Sequence, residues 1–159
     1  MNDRPMHPRP QLVREGRESL DGDWEFAFDR DARWREPGEP VFERQIRVPF
    51  APETPLSGIA DASYTRACWY RRRVPSPPLA AGERLRLHFG AVDWSASGFV
   101  NGRLVAQHEG GYTPFEADVT AFARAGSALE IVVRAEDDPL DLTQPRGKQD
   151  WKPEPHAIW

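Results

Sequence analysis

FVNGRLVAQHEGGYTPFEADVT, running from Phe99 to Thr120, decides how this chain folds. Between Val100 and Leu104 stands Asn101-Gly102-Arg103, and an Asn-Gly pair supplies the two positive φ angles that a type I′ hairpin turn demands. Strands over 94–100 and 104–108 are therefore expected to fold back on one another. Gly110-Gly111 then opens backbone conformations closed to other residues, and Pro114 fixes φ. With Tyr112 and Phe115 placed to fill the space beneath, this segment reads as a rigid corner whose two aromatics belong to the core.

Outward from the hairpin, the same period of two recurs. Trp24, Phe26 and Phe28 share one side of 23–28, with acidic or small residues on the other, the signature of a half-buried strand. Weaker alternation marks 44–48, and another strand is expected over 69–74. Leu85, Leu87 and Phe89 alternate with Arg84, Arg86 and His88, which puts His88 toward solvent, while Leu129, Ile131 and Val133 mark one more strand. Helical spacing is confined to VTAFARA over 119–125, read as one short turn capped by Asp118 and closed by Gly126. Seven or eight short strands punctuated by Gly and Pro make an all-β chain, most simply a jelly-roll β-sandwich packed inner face to inner face.

At 159 residues the chain suits a single domain that buries roughly two thirds of the surface of its unfolded form. Its 39% hydrophobic and 29% charged residues, six Trp and eight Phe are globular in composition, and sixteen Pro favour many short elements joined by rigid turns. A strand core over 11–139 is followed by LDLTQPRGKQDWKPEPHAIW over 140–159, which has three prolines and no sustained alternation, so it reads as a loop wrapped over one end of the sandwich. The net charge of −4 and the scattering of Arg among acids give no basic stripe for nucleic acid. No stretch approaches the roughly 20 apolar residues of a membrane span, and residues 1–10 carry no apolar leader region. With Cys68 as the one cysteine, a reducing compartment, the cytoplasm, is expected.

Five segments in order carry a family resemblance: Ser19-Leu20-Asp21-Gly22-Asp23-Trp24-Glu25-Phe26, Val48-Pro49-Phe50, Trp69-Tyr70-Arg71-Arg72, the run from Phe89 into the hairpin, and the quoted stretch from Phe99 to Thr120. Together they are similar to the N-terminal sugar-binding domain of glycoside hydrolase family 2, the family of bacterial β-galactosidases, β-glucuronidases and β-mannosidases. The resemblance implies a galactose-binding-like jelly roll that does not itself catalyse, in a protein that hydrolyses terminal β-linked sugars on a following barrel. It also makes 140–159 the segment that faces that barrel. Arg146, Lys148, Gln149, Asp150 and Trp151 are then candidates for the rim of the sugar pocket. Their chemistry suits the role, since carboxylate and amide groups pair with sugar hydroxyls and an indole stacks on a pyranose; the plainer alternative is that they are solvated loop charges. Asp150 is the counterpart the resemblance implies for the family's substrate-contacting Asp, although the family's Gly-Ile-aromatic motif beyond that Asp does not occur before Trp159.

Catalysis within the chain is not expected. A retaining glycosidase needs two carboxyl groups about 5 to 5.5 Å apart, and in the family both are glutamates of the barrel. Here Glu109, Glu116, Asp118 and Glu136-Asp137-Asp138 fall on turns and strand surfaces. The four histidines lack metal-ligand spacing and no second cysteine could complete a zinc site, so no metal or cofactor is expected. Trp94-Ser95-Ala96-Ser97-Gly98 lies between strand and hairpin, whereas a nucleophile elbow needs strand to helix; no phosphate loop or dinucleotide fingerprint occurs. Two other functions stay open: a free-standing carbohydrate-binding module and a protein-interaction sandwich. Because family members continue into a final strand of the same sandwich, an unpaired edge is expected, and with it either self-association as a homo-oligomer or a disordered tail from about Leu140 onward.

Overall fold

Alternation becomes strand wherever the sequence showed it, and at one place where it did not. The computed structural model describes residues 16–138 together with 141, 143 and 144. Eight strands occur among them: β1 (Gly22–Asp29), β2 (Arg44–Val48), β3 (Ala67–Pro75), β4 (Arg86–Phe89), β5 (Ser95–Val100), β6 (Arg103–Glu109), β7 (Phe115–Asp118) and β8 (Ala128–Glu136). They form a six-stranded antiparallel sheet, order β2-β1-β3-β8-β5-β6, faced by the two-stranded sheet β4-β7. This is the expected jelly-roll β-sandwich.

The hairpin takes the expected turn. Asn101 and Gly102 have φ of 49° and 77°, the left-handed values of a type I′ turn. Asn101 also ties the hairpin to β8: its amide donates to Glu130 O and its Oδ1 accepts from Glu130 N, both at 2.9 Å.

Between the sheets lies the main core. Trp24, Phe26, Ile46, Val100, Leu129, Ile131 and Val133 from the large sheet meet Leu87, Ala117 and Val119. Burying each large apolar side chain stabilises the fold by roughly 1.5–3 kcal/mol. Tyr70, packed against this core, has its hydroxyl pushed well above the ordinary tyrosine range by burial.

A second core lies on the opposite side of the same sheet. Ala27, Trp69, Phe99 and Val132 are buried there under Trp34 and Phe42, which come from the connection between β1 and β2. Asp29 holds that connection in place. Its carboxylate accepts from the amides of Arg33 (2.8 Å) and Trp34 (2.9 Å) and from Trp69 Nε1 (3.3 Å). The six-stranded sheet is thus apolar on both faces near its centre, which the picture of two inner faces alone does not contain.

The corner after the hairpin differs from expectation. Tyr112 does not fill space beneath the loop but is 84% exposed. Phe115 instead begins β7 and joins a stack, 4.4 Å from Phe89 and 4.5 Å from His108 between ring centroids. The glycine requirement is real at Gly111, where an added Cβ would fall 2.2 Å from Asp93 Oδ1. VTAFARA forms one 3-10 turn over Thr120–Phe122, and Asp118 Oδ1 accepts the Thr120 amide at 3.0 Å. Most of 140–159, proposed as the loop over the sandwich end, lies outside the described residues.

Candidate functional site

Strand order and register decide which side chains share the outer face, the one turned away from β4-β7. One row crosses five strands as Ala27, Trp69, Arg134, Ser97 and Gln107. The next runs Glu25, Arg71, Val132, Phe99 and Leu104. Among the described residues the β1–β2 connection covers the β1 and β3 end of these rows and does not reach β5 and β6. A cavity of about 300 Å³ opens there, with Ser97, Phe99, Leu104, Gln107 and Arg134 among its lining and Arg35 and Glu36 at its wall.

That wall is braced from its own backbone. Glu39 Oε2 accepts the amides of Arg35 (2.5 Å) and Glu36 (2.8 Å), which holds its carboxyl below the usual carboxylate range. The Arg35 guanidinium donates to Ala32 O and Trp34 O.

Arg134 is the unusual group. Its side chain is 10% exposed, far below the ordinary arginine. Nη2 lies 2.6 Å from Glu136 Oε2, and the guanidinium sits 5.8 Å from the centre of the Trp69 ring. The contact to Glu136 is an ion pair by distance without the angles of a hydrogen bond, and buried Nε has no hydrogen-bond partner. Glu136 is shared: its Oε1 accepts from Arg66 Nε at 2.9 Å, which raises the Arg66 pKa. Sequence reading did not single out Arg134, because alternation through Leu129, Ile131 and Val133 assigns every even position of β8 to the exposed side. The only available signal was an arginine directly following two valines.

Several other acids form surface pairs. Arg71 donates to both oxygens of Glu25 (2.6 and 2.9 Å), lowering the Glu25 pKa. Glu116 pairs with Arg86 and His88, and Asp118 with Arg84 at 2.8 Å. Bonds from Thr120, and then Arg84, hold the Asp118 carboxyl well below its ordinary value. His88 is exposed, as its alternation indicated. Among the described residues no three His, Cys, Asp or Glu side chains come together as metal ligands. Burial pushes the Cys68 thiol up to about 12, so it stays protonated near neutral pH and is not a thiolate nucleophile. Arg146, Lys148, Gln149, Asp150 and Trp151 lie outside the described residues.

The comparisons with known proteins agree with this architecture. Residues 38–140 match the family model "Glycosyl hydrolases family 2, sugar binding domain". A β-galactosidase from Thermoanaerobacter pseudethanolicus is 30% identical over 142 residues, covering 89% of this chain and 17% of the relative. A β-glucuronidase from Paenibacillus borealis is 31% identical over 132 residues, covering 80% and 22%. The solved β-glucuronidase of Faecalibacterium prausnitzii superposes with a TM-score of 0.64 at 36% identity, over 75% of this chain and 20% of that one. The chain thus spans about a fifth of the length of these relatives. With the strand order, the two-layer core and the matched residues in accord, the chain belongs to glycosyl hydrolase family 2, as a member of its sugar-binding domain.

Proposed function

We propose that this domain is the non-catalytic, N-terminal sugar-binding scaffold of an enzyme that hydrolyses terminal β-linked sugars, of β-galactosidase or β-glucuronidase type, in carbohydrate metabolism. One observation carries the reading: relatives named for these two activities align with nearly the whole of this chain through only 17–24% of their own length. Most of such a protein is therefore something other than this domain. Bond cleavage falls to a barrel with two glutamates, and Arg146, Lys148, Gln149, Asp150 and Trp151 serve as the part of the sandwich that meets the glycoside at the barrel's rim. A reducing compartment, the cytoplasm, suits the single Cys68.

The test is an assay on an aryl β-galactoside and an aryl β-glucuronide. The 159-residue chain is expected to leave both intact, while the product of the whole reading frame cleaves at least one, and Asp150→Ala in that product raises KM. Cleavage by the chain alone, or of neither substrate by the longer product, overturns the reading. Self-association through an open edge of the large sheet belongs to the same proposal; a concentration-dependent mass in sedimentation supports it and an invariant monomer refutes it.

A further inference from the structure

We infer that Asn101 is a latent modification site, closed to spontaneous deamidation while the β5–β6 hairpin stands and converted irreversibly once the hairpin opens. The inference goes beyond the proposed function, since it involves neither a glycoside nor a partner. Chemistry comes first. The chain has only two asparagines, Asn2 and Asn101, and only Asn101 precedes a glycine. Glycine has no side chain to hinder its own amide nitrogen, so in a free chain the Gly102 nitrogen attacks Asn101 Cγ. The new N–C bond closes a succinimide ring, the Cγ–Nδ2 bond breaks and ammonia leaves. Water then opens the ring at either carbonyl to give aspartate or isoaspartate, with no oxidant, reductant or other co-reactant.

Exposure favours the reaction and conformation opposes it. Asn101 and Gly102 are both exposed, so water reaches the turn. With φ of 49° and 77° the turn is type I′, and ψ at the first central residue of such a turn is about +30°. At that angle the Gly102 nitrogen lies on the far side of the Cα–C bond from the Asn101 Cβ, whereas ring closure needs the two nearly eclipsed. Asn101 must therefore leave the left-handed region before its side chain can react.

β8 blocks that departure. Asn101 N donates to Glu130 O, and Asn101 Oδ1 accepts from Glu130 N, both at 2.9 Å. The first bond fixes the backbone, and the second fixes the side-chain amide that must swing toward Gly102. Val100, the residue before, is 1% exposed within the main core and pairs with Ile131 of β8 and Arg103 of β6. The reaction thus waits for a local opening that gives up both bonds to Glu130. Isoaspartate makes the event one-way, because the main chain then runs through Cβ and the turn gains a backbone atom that the pairing of Val100 with Arg103 does not accommodate.

The test compares the 159-residue chain with a synthetic peptide covering Ser97–Gln107, both held in the same mildly alkaline buffer and followed by peptide mass mapping, with amide hydrogen exchange measured alongside. Deamidation at Asn101 should be at least about ten-fold slower in the folded chain, since two hydrogen bonds must be given up first. In guanidinium chloride beyond the unfolding transition the two rates should converge, and in buffer the Glu130 amide should exchange slowly. The inference is overturned if the folded chain deamidates as fast as the peptide, or if the difference persists in denaturant. It is equally overturned if the Glu130 amide exchanges as freely as that of an unfolded chain while Asn101 stays protected.

Discussion

The two faces of the six-stranded sheet make opposite use of the same strands. Toward β4-β7 the sheet presents Trp24, Phe26, Ile46, Val100, Leu129, Ile131 and Val133, closed over by the second layer. On the far side Trp69, Phe99 and Val132 are buried under a connection, but the rows continue into Arg134, Ser97 and Gln107 beside an open cavity. An antiparallel sheet ordinarily has one dry face and one wet one. Here the outer face is half of each, so stability can be concentrated on the inner face while the outer face carries polar groups that stability alone does not require.

The strongest test of that division is deletion on the inner face. Phe26 is fully buried at 0% exposure, and Phe26→Ala should destabilise the chain by about 3–5 kcal/mol in urea unfolding. Next in size is Asp29→Ala, which leaves the amides of Arg33 and Trp34 without their carboxylate acceptor. A loss of about 1–3 kcal/mol is expected, with hydrogen exchange rising in 30–43 and not in β4 or β7. If exchange rises equally in both, the two faces are not separable.

Arg134→Met should shift stability by only about 1 kcal/mol, in either direction. Replacing a buried charge by an apolar group of similar length is often neutral or stabilising, and Glu136 keeps Arg66 as its partner. A loss as large as that of Phe26→Ala would make Arg134 a structural group and erase the contrast between the faces.

The smallest effect, per group, is on pH. Glu25, Asp61 and Asp118 have carboxyl pKa values lowered in the folded chain, chiefly by hydrogen bonds from Arg71, Ser63 and Thr120 respectively. Unfolding returns these groups to higher values and takes up protons, so their stabilisation is complete above the unfolded carboxylate range, near pH 4, and is lost as pH falls through the folded values. Melting temperature should therefore be flat near neutrality with respect to these groups and decline in acid. Each of the three also pairs with an arginine near the surface, so salt should shrink the decline.

How much of this was legible beforehand follows from the range of the interactions. Asn101-Gly102 predicts its turn because the φ requirement lies within the two residues, and β2 falls at 44–48 as read, since alternation is a local record of which face is buried. β7 was not legible, because Phe115–Asp118 has too few residues for a period of two to stand out from the corner before it. Tyr112 was misplaced for a related reason: residue type reports an average tendency to be buried, and only the path of the chain after Gly111 decides that this ring points to solvent.

By itself, the sequence determined the all-β class, the central hairpin, the inner stripe and the family. Tertiary structure alone decided that Trp34 and Phe42 cap the outer face, that Arg134 lies buried beside Trp69 and Glu136, and that a cavity remains next to them. The physical reason is that periodicity encodes which side of a strand a residue occupies, whereas burial on the second side depends on a connection returning from far along the chain, and no local pattern records where it lands.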